Sequence, residues 1–211
     1  MTGPEWIGTN RVLRLYPKHH DRFLKVSFVE EDLFTIQHRR GFSFDTILED
    51  RWKKFFSHGI KLCRRTYTFL GFSQSSLKEH SAWFICPFQV SLGGRFITAD
   101  TLRSRLGDFS HIRCAPLLAA RIGQTFTTTS HSIDITDTKV IIVDDVVREG
   151  YVFSDGVGTI SQAAIETVWA ATSANGKPVK PVAYQIRVGG AKGVLCLDKT
   201  LNETQYVYAH Q

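Results

Sequence analysis

Apolar and polar residues alternate along DRFLKVSFVEED (21–32), which predicts a strand with Leu24, Val26 and Phe28 on one side and Phe23, Lys25 and Ser27 on the other. The pattern then lengthens to a helical period. SFDTILEDRWKKFFSHG (43–59) predicts a helix with Ser43 as cap, Asp45 and Glu49 early, Lys53 and Lys54 late, and Gly59 as stop. Ile47, Leu48, Trp52, Phe55 and Phe56 form its apolar side. Arg65–Ser73, rich in aromatic and β-branched residues, predicts a strand. A helical turn capped near Ser75 or Ser76 and a buried strand through Trp83–Ile85 follow.

TADTLRSRLGDF (98–109) predicts a short helix stopped by Gly107, and APLLAARIGQTF (115–126) a second one with Pro116 in its first turn. Thr138–Val147 predicts a strand. SQAAIETVWAATSANG (161–176) predicts a helix capped by Ser161, with Ile165, Val168, Trp169 and Thr172 on one side and Asn175-Gly176 as stop. PVAYQIRV (181–188) and GVLCLD (193–198) predict two strands joined by a glycine turn. Strict βαβ alternation is absent, so the expected class is α+β with a barrel-like C-terminal part, not a doubly wound sheet. The expected division is an α/β region over 1–130 and a barrel region over 131–211.

Composition changes this picture little. The chain has 211 residues, 43% hydrophobic and 22% charged, which fits one domain or two small ones. Fifteen Phe and four Trp can fill a sizeable core. The net charge of +6 suits a polyanionic partner without specifying one. Cys63, Cys86, Cys114 and Cys196 are widely spaced, which disfavours a zinc site or a disulfide framework and suits reduced thiols in the cytoplasm or nucleus. No apolar run approaches a membrane span, and MTGPEWIGTN has no basic-then-apolar leader.

Four stretches could carry chemistry. In YQIRVGGAKG, Gln185 and Arg187 share one strand face, Gly189-Gly190 permits a tight turn, and Lys192 follows. Val194–Leu197 is apolar throughout and is expected to be buried on both faces. Two cations on an anchored hairpin suit phosphate groups, although a solvated hairpin tip carries the same residues. FSDGVGTIS (153–161) places Asp155 and Gly156 in a turn that a ligand could approach, and the helix N-terminus at Ser161 is expected near it. Asp155 equally suits an Asx-turn. Arg121 and Gln124 share one side of the 115–126 helix. Asp144-Asp145 could ligate Mg²⁺ or simply end a strand in solvent.

Taken together, FLGFSQSSLKEHSAWF, RLGDFSHIRCAPLLAARIGQTFTTT, FSDGVGTIS and QIRVGGAKGVL, in that order, resemble the core of the eukaryotic cellular RNA-dependent RNA polymerases of RNA silencing. NRVLRLY…DRFLKVSFVEEDL resembles the segment that enters this core, so the likeness runs from about 10 to 198. It implies a fold of two double-psi β-barrels facing a cleft, of which this chain would hold part of the first. It implies template-directed nucleotidyl transfer on single-stranded RNA, with nucleoside triphosphates as substrates and double-stranded RNA as product. Arg187 and Lys192 would be the catalytic basic residues facing phosphates. Gln185, Gly189, Gly190, Asp155, Gly156, Arg121 and Gln124 would line the nucleotide and RNA path. The family's Mg²⁺ sits on a DxDGD motif, which these 211 residues lack, so the resemblance places the metal ligands outside this chain and leaves the chain alone inactive. A non-catalytic RNA-binding remnant or a truncated inactive product is the alternative expectation.

Overall fold

The structure, a computed structural model, describes residues 7–30, 32, 34, 49, 52–73, 80–134, 140–154, 156–172, 179–188, 191–201 and 207–210. It divides into two units, Met1–Thr129 and Ser130–Gln211.

In the first unit, α1 (Arg11–Leu15) starts at Asn10, whose side-chain oxygen accepts the Leu13 amide at 3.0 Å. The alternating run at 21–32 contains β1 (Phe23–Ser27). Within the predicted 43–59 helix lies α2 (Lys53–His58), ending at Gly59. Ser43, Asp45, Ile47 and Leu48 lie outside the described residues, as do Ser75 and Ser76. β2 (Ile60–Leu62), β3 (Arg65–Gly71) and β4 (Ser81–Ile85) complete an antiparallel sheet of order β1-β4-β3-β2.

All five residues of β4 are buried because both faces of this sheet are covered. On one face Trp83 and Ile85 join Leu70, Leu102 and Phe126. On the other Ala82 and Phe84 join Tyr67, with Phe56 of α2 packed against them. Phe56 and Phe84 stack at 6.2 Å. Phe55, expected on the buried side of its helix, is instead 41% exposed. It lies about 100° round the helix from Phe56, which takes the sheet-facing position.

β5 (Phe88–Gln89) and β6 (Phe96–Ile97) form a short hairpin. α3 (Ala99–Leu106) begins with a reciprocal cap: Thr98 Oγ1 accepts the Thr101 amide at 3.2 Å, and Thr101 Oγ1 accepts the Thr98 amide at 2.7 Å. α4 (Ala115–Gly123) carries Pro116 in its first turn, as its sequence predicts, and passes into a 3₁₀ turn at Gln124–Phe126.

The second unit contains β7 (Val140–Val143), β8 (Val147–Arg148), β9 (Tyr151–Val152), β10 (Val157–Ile160), α5 (Gln162–Thr172), β11 (Ala183–Val188), β12 (Ala191–Leu197) and β13 (Val207–His210). The expected single strand over Thr138–Val147 is broken. β7 and β8 belong to different sheets, and Asp144, Asp145 and Val146 form the break. Five strands pair in the order β11-β12-β10-β13-β7, with β10 parallel to β12 and β13 parallel to β7. A parallel pair needs a crossover, and α5 supplies it between β10 and the β11–β12 hairpin. Ser161 caps α5 through its Oγ, which accepts the Ala164 amide at 3.3 Å. Asn175-Gly176 lies outside the described residues.

Ile160, Ala164, Ile165 and Leu195 form this unit's core, with Tyr184, Ile186 and Leu197 packed against it. That arrangement overturns burial of Val194–Leu197 on both faces. Leu195 is 2% exposed, whereas Val194 is 42% exposed and Cys196 is also exposed. The helix shields one face of the hairpin only, so an all-apolar run sits half in solvent. The four cysteines are free thiols. No helix among the described residues is long and apolar enough to cross a membrane.

Candidate functional site

The β11–β12 hairpin positions the two cations by strand register. Pairing runs from Ala183 opposite Cys196, through Gln185 opposite Val194, to Arg187 opposite Lys192 and Val188 opposite Ala191. Residues directly opposite in an antiparallel pair share a face, with Cβ atoms about 5 Å apart. Arg187 and Lys192 are therefore neighbours on one face, and Gln185 is two positions behind Arg187 on the same side. The alternate residues Tyr184, Ile186, Leu195 and Leu197 turn into the core under α5. The cations thus lie on the uncovered face, with Arg187 half-buried and Lys192 and Gln185 exposed. Like charges facing each other across a ladder repel. An anion between them reverses the sign of that interaction, and among the described residues no carboxylate pairs with either.

The hairpin is held from the side by Gly156. This glycine has φ +62°, and a Cβ built on it would collide with the carbonyl oxygen of Lys192. A Cβ on Gly193 would in turn collide with the Gly156 carbonyl oxygen. That oxygen accepts the Val194 amide at 2.8 Å, and Val157 then pairs with Val194 as β10 begins. The close backbone approach at Gly156 is therefore to the chain carrying Lys192. Just before it, Ser154 is 3% exposed. Its hydroxyl donates to Asp145 Oδ1 at 2.7 Å and accepts the Val146 amide at 2.8 Å. Asp145 is thus engaged in closing a loop.

The helix N-terminus at Ser161 does not approach the Gly156 turn as its closeness in sequence suggests. The whole of β10 separates them, about 13 Å of extended chain. Arg121, exposed near the end of α4, and Gln124, opening the 3₁₀ turn, belong to the first unit. Asp155, Gly189 and Gly190 lie outside the described residues. Sequence reasoning passed over Gly193 and Ser154. The third glycine of GGAKG was a visible signal for the first, whereas a lone serine before Asp-Gly offers none.

Two titrating groups have shifted ionisation here, Asp198 just after the hairpin and Tyr184 on its buried face. Hydrogen bonds from the Thr200 side chain and backbone hold the Asp198 carboxyl below its ordinary range. Burial pushes the Tyr184 hydroxyl up. Among the described residues no group of three or more His, Cys, Asp or Glu could hold a metal ion. What the second unit offers chemically at the hairpin is a cationic surface on an antiparallel ladder.

The family model described as RNA dependent RNA polymerase matches residues 1–211. RNA-dependent RNA polymerase 1 of Arabidopsis thaliana is 37% identical over 206 residues, covering 93% of this chain and 18% of that protein. RNA-dependent RNA polymerase 1 of Schizosaccharomyces pombe is 35% identical over 191 residues, covering 89% of this chain and 15% of that protein. The structure of RNA dependent RNA polymerase QDE-1 from Thielavia terrestris aligns with 97% of this chain and 23% of its own, at a TM-score of 0.72 and 17% identity. The fold is shared with that structure, and the chain spans about a fifth of the length of such relatives. On the match across all 211 residues, the chain belongs to the RNA dependent RNA polymerase family.

Proposed function

We propose that this chain forms part of the core of an RNA-dependent RNA polymerase, and that its Arg187–Lys192 pair contacts phosphates of the incoming nucleoside triphosphate or of the RNA. In this reading the five-stranded sheet is part of the first of two double-psi β-barrels. The reaction is attack of an RNA 3′-hydroxyl on an α-phosphate with loss of pyrophosphate, producing double-stranded RNA for silencing. Mg²⁺ would be held by residues outside this chain and would neutralise charge on the phosphates. The observation that carries the reading is the cross-strand register of Arg187 and Lys192 on the uncovered sheet face. Family membership supports it.

The contribution of these residues is positional and electrostatic. A guanidinium offers a planar fork to two phosphate oxygens, while an ammonium serves as a compact point charge. Fixed on adjacent strands, they meet charge developing on the phosphates without reorganising. Template contacts of this kind fall on the backbone, which suits an enzyme that must copy any sequence.

The test is RNA binding by the chain across a salt series, with Arg187→Ala/Lys192→Ala beside it. Loss of two single-strand phosphate contacts lowers the slope of log K against log salt by about 1.4. An unchanged slope in a folded variant removes the phosphate role. In a polymerase that carries these residues with the rest of the family's length, the same pair of changes abolishes RNA synthesis.

A further inference from the structure

The β8–β9 hairpin is a tight arm whose two faces differ chemically. Glu149 and Gly150 form its two-residue turn with φ of 50° and 80°, the left-handed pair that a type I′ hairpin requires. Val147 faces Val152, and Arg148 faces Tyr151. The Phe153 amide donates to the Val146 carbonyl at 2.8 Å and extends the ladder by one step. Arg148, Tyr151 and Phe153 therefore share one face with Val146, while Val147 and Val152 share the other.

Tyr151 is 71% exposed and Phe153 69% exposed, an unusual cost for two large rings on one short strand. Alternate residues of an extended strand stand about 7 Å apart on one side of the ladder. We propose that this face is a stacking platform for unpaired RNA bases, adjoining the Arg187–Lys192 contact. The proposal rests on the phosphate reading above.

Three features select RNA as the occupant. Sheet aromatics with a neighbouring arginine are a general device for holding splayed bases, because every base has a π-face and the guanidinium adds a planar cation. The arm is tied at its base by the Ser154–Asp145 and Ser154–Val146 hydrogen bonds, which fix the backbone from which the two rings project. Finally, Gly156 touches the backbone of Lys192 and Gly193. The three steps from Phe153 to Gly156 span at most about 11 Å. Rings and cation pair are thus close enough for one short single strand to lay its bases on the arm and its phosphates on the hairpin.

The test compares the 211-residue chain with an oligouridylate and with an abasic oligonucleotide of equal length and charge, by fluorescence anisotropy across a salt series. The wild-type chain binds the base-bearing strand more tightly, by about fivefold or more for each stacked base. Tyr151→Ala/Phe153→Ala loses that margin and keeps the salt slope. Tyr151→Phe keeps the margin, as does Val147→Ser/Val152→Ser on the other face. Arg187→Ala/Lys192→Ala shows the reverse, a lower salt slope with the margin retained, so failure of the platform and failure of the phosphate contact are separable. Equal binding of both oligomers by the wild-type chain, no binding of either, or a margin that survives loss of both rings overturns the platform. A self-associated wild-type chain that becomes monomeric when both rings are removed overturns it too, because the face would then be a protein contact.

Discussion

Gly156 and Gly193 lie against each other so closely that neither has room for a Cβ, and the Gly156 carbonyl accepts the Val194 amide at 2.8 Å beside that contact. The contact locks the start of β10 to the strand that carries Lys192. It makes the local stability of the cation hairpin depend on two residues with no side chain.

Gly156→Ala carries two costs. A left-handed backbone on a non-glycine residue costs about 1–2 kcal/mol, and the Lys192 carbonyl must shift to clear the new methyl group. Gly150 has a similar φ of +80° but open space around it, so Gly150→Ala carries the first cost alone. In denaturant unfolding, Gly156→Ala and Gly193→Ala are expected to lose more stability than Gly150→Ala. Equal losses at 150 and 156 would show that backbone strain, and not the close approach, sets the cost.

The sheet layer beneath α2 and the outer side of α2 offer a second contrast. Phe84 is fully buried in the layer that Phe56 covers, and Phe→Ala at such a site costs about 3–5 kcal/mol. Phe55 is 41% exposed, and its truncation is expected to cost less than about 1 kcal/mol. Thermal or urea unfolding of Phe84→Ala and Phe55→Ala measures both. A Phe55→Ala loss as large as that of Phe84→Ala contradicts the orientation of the helix.

Much of this architecture was legible in the chain. Strong periodicity located β1, β3, β4, α3, α4 and α5, because their apolar residues recur at one period and punctuating residues such as Pro116 and Ser161 mark where helices begin. Phe55 and Phe56 were not separable, since adjacent apolar residues on a short helix compete for one facing position. Val194–Leu197 misled because hydrophobicity reports what a strand can bury, and only α5 decides which face is buried here. Thr138–Val147 read as one strand because nothing in its composition marks the Ser154 clasp on Asp145 and Val146. The alternation of Gln185 and Arg187 was readable, but the position of Lys192 directly opposite Arg187 depends on register, which a turn sets.

The Asp198 carboxyl gives a pH prediction. Hydrogen bonds from Thr200 favour its ionised form in the folded chain, at 2.6 Å from the hydroxyl and 2.8 Å from the amide. A depressed carboxylate contributes stability that is present above its unfolded pKa of about 3.9 and is lost as pH falls through its lower folded value. Thr200→Ala is expected to move the Asp198 pKa up towards the ordinary carboxylate range, read by carbon-detected NMR titration. An unmoved titration curve in Thr200→Ala would assign the shift to another cause.

Lys192→Glu separates stability from binding at the proposed phosphate contact. In the native hairpin, Arg187 and Lys192 are like charges in directly opposed positions. A glutamate at 192 replaces that repulsion with a cross-strand ion pair, which contributes about 0.2–1 kcal/mol to an antiparallel ladder. The same change brings a carboxylate to the place where a phosphate is expected and occupies the Arg187 fork. The variant is therefore expected to unfold at equal or higher denaturant concentration than the native chain and to bind RNA more weakly with a shallower salt slope. A surface lysine with no ligand role gives the first result without the second. A variant that is less stable and also binds less would mean that Lys192 matters to the hairpin itself, and the phosphate contact would then have to rest on Arg187 alone.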